Sequence, residues 1–106
     1  MKTYLLYGTS ELTAAQLRDA IERSLGLEFQ EQDSSYLGGV YYRSGDLRDE
    51  HLVILSNEAE DPDDLPDPDF ADKRVLLEVN ATLRPAPLRE RLAAISGLLL
   101  LRSREL

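Results

Sequence analysis

The stretch RVLLEVN at positions 74–80 sets Val75, Leu77 and Val79 on one side of an extended chain and Arg74, Glu78 and Asn80 mostly on the other. A period of two is that of a strand with one face in a core. Downstream, Pro85 and Pro87 stand where a first helical turn tolerates missing N–H groups, and Leu88, Leu92 and Ile95 recur at helical spacing until Gly97. The apolar run at 98–101, followed by Arg102-Ser103-Arg104, reads as a closing buried strand.

The front of the chain repeats this order. TYLLY at 3–7 is short, aromatic and branched, and stops at Gly8, which predicts a first strand. Thr13 and Gln16 have the spacing of a capping box and Leu12 and Leu17 that of a hydrophobic staple, so a helix is expected from Thr13, burying Leu17, Ile21 and Leu25. Gly26 sits where a left-handed C-terminal residue is needed. Residues 27–31 alternate weakly before the turn-like Asp33-Ser34-Ser35. YLGGVYYR at 36–43 reads as a strand with a bulge or close approach at Gly38-Gly39, and EHLVILS at 50–56 as an apolar strand.

Strand, helix, two or three strands, then strand, helix, strand is the order of an α+β, two-layer sandwich of the ferredoxin-like kind. It predicts a mixed sheet of four to six strands with two helices on one face. A chain of 106 residues suits a single domain, 1–106. Several strands are apolar at both parities: Leu5 and Tyr7 alternate with Tyr4 and Leu6, and Leu52 and Ile54 with Val53 and Leu55. The second sheet face therefore needs a cover, which a second copy in a homodimer, another protein, or the chain's own residues around Leu65 and Phe70 would supply.

Between two of the strands lies EAEDPDDLPDPDFAD, an insertion at 58–72 in which eight of fifteen residues are acidic and none is basic. The remaining twelve acidic residues are matched by twelve Lys and Arg, so this segment accounts for the whole formal charge of −8. Such a balance disfavours a nucleic-acid partner, whose affinity rests on Lys and Arg displacing counterions, and favours a basic protein. Pro62, Pro66 and Pro68 stiffen the segment and lower the entropy lost on docking. Glu60, Asp61, Asp63, Asp64, Asp67 and Asp69, with Phe70 as an apolar anchor and Tyr41 and Tyr42 nearby, form the expected partner-binding set.

Other chemistry is disfavoured. A helix-loop-helix calcium site starting at Asp61 would have Pro66 where Gly is required and Asp72 where Glu is required; starting at Asp67, it would have Asp72 and Glu78. His51 is the only histidine and there are no cysteines, so neither a recognisable catalytic triad nor a ligand set forms, and no metal, cofactor or enzymatic activity is expected. MKTYLLYGTS is too short in its apolar run for a signal peptide or a membrane span, which makes a cytoplasmic location the expectation.

YLGGVYYR, then HLVILSNE, the acidic insert, and RVLLEVNAT before a closing helix and strand together resemble the small acidic immunity proteins that accompany bacterial polymorphic toxins. The resemblance runs from Tyr36 onward and lies in size, acidity and a single α+β domain. It implies a stoichiometric inhibitor of a cognate toxin, often a basic nuclease, in the cytosol of the producing cell. It carries over no individual residue. The alternative reading is a dimeric ferredoxin-like regulatory or small-ligand domain.

Overall fold

A computed structural model describes residues 1–34, 39–59 and 61–106. The elements are β1 (Thr3–Thr9), α1 (Ala14–Leu25), β2 (Gln30–Ser34), β3 (Gly39–Gly45), β4 (His51–Ser56), β5 (Val75–Thr82), α2 (Pro85–Ala93) and β6 (Leu99–Glu105). The architecture is α+β, an open sheet of six strands in the order β2-β3-β4-β5-β1-β6.

Every neighbouring pair in that sheet is antiparallel, which corrects the expected mixed sheet. The strands flanking α2 do run in the same direction, but β1 is inserted between them; between β1 and β2, which flank α1, lie β5, β4 and β3. Helix α2 thus connects strands two positions apart, with β1 pairing antiparallel to both, whereas α1 connects β1 to β2, four positions away at the far edge of the sheet.

The local signals act as their chemistry requires. Thr13 caps α1, its Oγ1 accepting from the Gln16 N–H at 3.1 Å while the Gln16 side chain accepts from the Thr13 N–H at 3.0 Å. Gly26 ends α1 with φ 69°, a left-handed conformation that costs a residue bearing a Cβ about 1 kcal/mol or more. The weak alternation at 27–31 becomes β2 three residues later, so Asp33 and Ser34 lie in a strand rather than a turn. The third strand begins at Gly39; Tyr36 and Gly38 lie outside the described residues.

Parity divides the sheet into two faces. Leu5, Tyr7, Leu52, Ile54, Val75, Leu77 and Val79 share one buried cluster with Leu17 and Ile21 of α1 and Leu88 and Leu92 of α2. Leu6, Val53, Leu55 and Leu76 form a second, smaller cluster, against which Tyr41, Phe70 and Leu101 pack. The last strand is not the buried strand its leucines predict. It lies at the sheet edge, where Leu99 is 55% and Leu100 37% exposed, and only Leu98, just before it, is buried. An apolar run of four residues does not distinguish a central strand from an edge strand, because position in the sheet is set by distant pairing.

Gly8 permits the second cluster to extend to that edge. A Cβ there would lie 2.7 Å from Leu101 Cδ1 and 2.8 Å from Lys73 Cγ. The β1/β6 register shifts between Leu6 and Tyr7, leaving Leu101 as the extra residue of a bulge beside Arg102.

Candidate binding surface

The acidic segment is built around Asn57, the residue after β4. Its parity continues from Val53 and Leu55 toward the second face, yet it is polar and only 1% exposed. The side chain closes a ring of hydrogen bonds: Nδ2 donates to the carbonyls of Asp67 (3.2 Å), Phe70 (3.0 Å) and Lys73 (3.1 Å), and Oδ1 accepts from the Asp67 N–H at 2.8 Å. With two protons for three carbonyls, one donor is shared. The Asn57 backbone N–H also donates to Arg74 O at 2.8 Å. One buried amide therefore fixes residues 67–74 against the end of the sheet, satisfying backbone groups that would be costly to bury alone.

Two single-turn 3-10 helices, Pro62–Asp64 and Pro68–Phe70, give the segment its shape. Asp61 caps the first, accepting from the Asp63 N–H at 3.0 Å. Each opens on proline, whose fixed φ suits a first turn and whose missing N–H needs no partner there.

Phe70 turns inward. It is half-buried on the second-face cluster, with the Arg102 guanidinium 5.6 Å from its ring centroid. The same guanidinium donates to Asp67 Oδ2 at 2.6 Å, and the Asp67 side chain is only 16% exposed. Of the covers expected for the second face, the acidic segment folded back through Phe70 is the one observed. Tyr41 lies on the same cluster, whereas Tyr42, its neighbour in β3, lies on the opposite side with the first cluster, 4.8 Å beneath Arg18. Alternation along a strand accounts for the separation.

What remains outward is a set of carboxylates. Glu58 pairs with Arg74 at 3.2 Å and Asp72 with Lys73 at 3.1 Å. Asp61, Asp63, Asp64 and Asp69 are exposed and form no ion pair among the described residues. Glu60 lies outside the described residues. Among the described residues no group of three or more His, Cys, Asp or Glu is placed to hold a metal, and no helix is long and apolar enough to cross a membrane. His51 Nδ1 lies 2.9 Å from its near neighbour Asp49 O. Nothing in the described residues assembles a nucleophile, base and orienting group around it.

Family models, curated proteins and solved structures give no match to this chain.

Beyond the acidic segment the second face mixes charged side chains with the apolar residues of its cluster. Cross-strand register sets Arg43, Val53, Glu78, Leu6 and Arg102 in one row across β3, β4, β5, β1 and β6. A cleft of about 250 Å³ opens along this row, with Leu6, Leu55 and Leu76 among its apolar residues, Pro66 and Asp67 of the acidic segment, and Tyr4, Glu78 and Arg104 also lining it. Sequence reasoning passed over both Glu78 and Asn57. Glu78 is visible in the sequence as the polar side of an alternating strand and as the last position of a calcium loop that fails; Asn57 is visible as a polar residue in phase with two buried ones.

At the opposite end of β4, Glu50 anchors the loop into α2. It accepts from Thr82 Oγ1 at 2.6 Å and from Arg84 Nη2 at 2.7 Å. The Arg84 hydrogen bonds, followed by that from Thr82, hold the Glu50 carboxyl below its ordinary range against the opposing effect of burial.

Proposed function

We propose that this chain is a non-enzymatic protein-binding module of immunity type, which neutralises a basic partner such as a toxin nuclease in the cytoplasm. The scaffold in this reading is ferredoxin-like, with both helices on one face of the sheet and the acidic segment on the other. The observation that supports it most is the Asn57 clamp: it orders the segment on its own sheet while Asp61, Asp63, Asp64 and Asp69 point away. Pre-ordered carboxylates lose little entropy on docking, and a concentrated negative patch accelerates encounter with a basic surface. Asp67 and Phe70 serve that surface from beneath, as anchors.

The test is isolation of the native complex by size-exclusion chromatography, followed by titration. The expected result is a one-to-one complex with a basic protein, its affinity falling with added salt and at least tenfold on changing Asp61, Asp63, Asp64 and Asp69 together to Asn. Unchanged affinity in that variant, with the fold intact, contradicts the acidic-surface mechanism. A second reading, a dimeric regulatory or small-ligand domain, draws on the exposed Leu99 and Leu100 at the β6 edge. Sedimentation showing a tight homodimer at low micromolar concentration would favour it.

A further inference from the structure

We infer that the cleft on the second sheet face is a receptor for a single arginine side chain of the protein partner, with Glu78 as the group that pairs with its guanidinium. The inference rests on the protein-binding reading and names where within it the specific contact is made.

Glu78 occupies an unusual position for a carboxylate. It is half-buried in β5, flanked across the sheet by Leu6 and Val53, both less than a tenth exposed, and preceded on its own face by buried Leu76. Among the described residues it forms no ion pair. The two arginines of its row stand two strands away on either side, a separation of roughly 10 Å between Cα atoms. Arg102 is engaged by Asp67 at 2.6 Å. A carboxylate partly withdrawn from water, with no cation in contact, gains most from a partner that brings one.

The cleft's shape and walls indicate which cation. At about 250 Å³ it is smaller than the roughly 300–1,000 Å³ usual for cofactors and comparable ligands, a size better matched to one side chain. Leu6, Leu55 and Leu76 offer apolar surface to an aliphatic stem, and Tyr4 offers a ring on which a planar guanidinium can stack. A guanidinium also meets a carboxylate through two parallel hydrogen bonds, which an ammonium does not. The acidic segment forms one bank through Pro66 and Asp67, so a basic surface drawn to Asp63, Asp64 and Asp69 is delivered beside the opening. Arg102 and Arg104 also line the cleft; Arg102 is neutralised by Asp67, and Arg104, exposed and in no ion pair among the described residues, can swing to solvent as the incoming guanidinium meets Glu78.

The experiment follows the Leu6, Leu55 and Leu76 methyl resonances while N-acetyl-arginine methylamide is added, with the uncharged citrulline analogue as control. The expected result is a saturable shift of these methyls in the millimolar range, absent with citrulline and with its midpoint raised about fivefold or more in Glu78→Gln, a change that preserves shape and packing. Shifts that do not saturate, that appear equally with citrulline, or that persist unchanged in Glu78→Gln overturn the inference. In the native complex, loss of affinity in Glu78→Gln supports it. If the four outward Asp→Asn changes release the partner while Glu78→Gln does not, the protein-binding reading stands and this inference falls. If neither change weakens the complex, the acidic-surface mechanism and this inference both fall.

Discussion

The two faces of the sheet are held by different means. The first face is closed by hydrophobic contact: its cluster joins six strand leucines, isoleucines and valines to the leucines and isoleucine of two helices, and no charged residue is buried among the described residues. Among the described residues the second face has only four buried apolar residues, and it is covered by a segment in which eight of fifteen residues are acidic. A charged segment has too little apolar surface to hold itself down. Its attachment therefore rests on Phe70, Asn57 and Arg102, with Ser10 Oγ donating to Asp72 O at 2.6 Å at its far end. A chain can in this way keep a strongly anionic surface in a fixed place. It concentrates the attachment in a few buried polar bonds and leaves the other carboxylates to solvent.

That contrast predicts unequal responses to mutation. Leu77→Ala, at a fully buried position of the first face, should lower unfolding free energy by about 3 kcal/mol, read from the urea midpoint, because it leaves a cavity in the packed layer. Asn57→Ala should cost less, about 2 kcal/mol, and its effect should be concentrated in residues 67–74. Equal loss of protection in α1 and α2 would break the distinction between the faces. Gly8→Ala should cost about 1 kcal/mol, since the new methyl displaces Leu101 and Lys73 at the margin of the second cluster.

The smallest effect concerns Glu50, whose carboxyl is held below its ordinary value by Arg84 and Thr82. A depressed folded-state pKa contributes stability that is present above the unfolded value of 4.5 and is lost as pH falls below it. Glu50→Gln should thus lower the melting temperature at pH 7 by the equivalent of about 1 kcal/mol or less, since the pair is partly solvated, and the difference from the parent should shrink below pH 4.5. A difference that stays constant between pH 7 and pH 3 would remove the ion pair from the account.

Much of the first face was legible in the sequence because its signals are local. The alternation of Val75, Leu77 and Val79, the Thr13 capping box and the Gly26 stop each act within a few residues. Strand order is not local. The insertion of β1 between β5 and β6 makes the sheet antiparallel and puts Leu99 and Leu100 at an edge, and neither follows from the periodicity of those segments. The charge of the acidic segment was plain; its attachment was not. Asn57 bonds to backbone groups ten to sixteen residues away, and backbone groups carry no residue-specific signal. The division of Tyr41 from Tyr42 was readable by parity alone.

Of the acidic segment's attachments the buried Asn57 amide makes the most contacts with residues 67–73, and native-state hydrogen exchange at the Asp67 and Lys73 amides reports whether it orders them. The Asp67 N–H donates to Asn57 Oδ1 at 2.8 Å and the Lys73 N–H to Phe70 O at 2.9 Å. Both amides should exchange at least tenfold slower than a free chain in the parent protein and approach free-chain rates in Asn57→Ala, while β5 amides keep their protection. Free-chain exchange at both positions in the parent protein would mean that Asn57 does not order the segment.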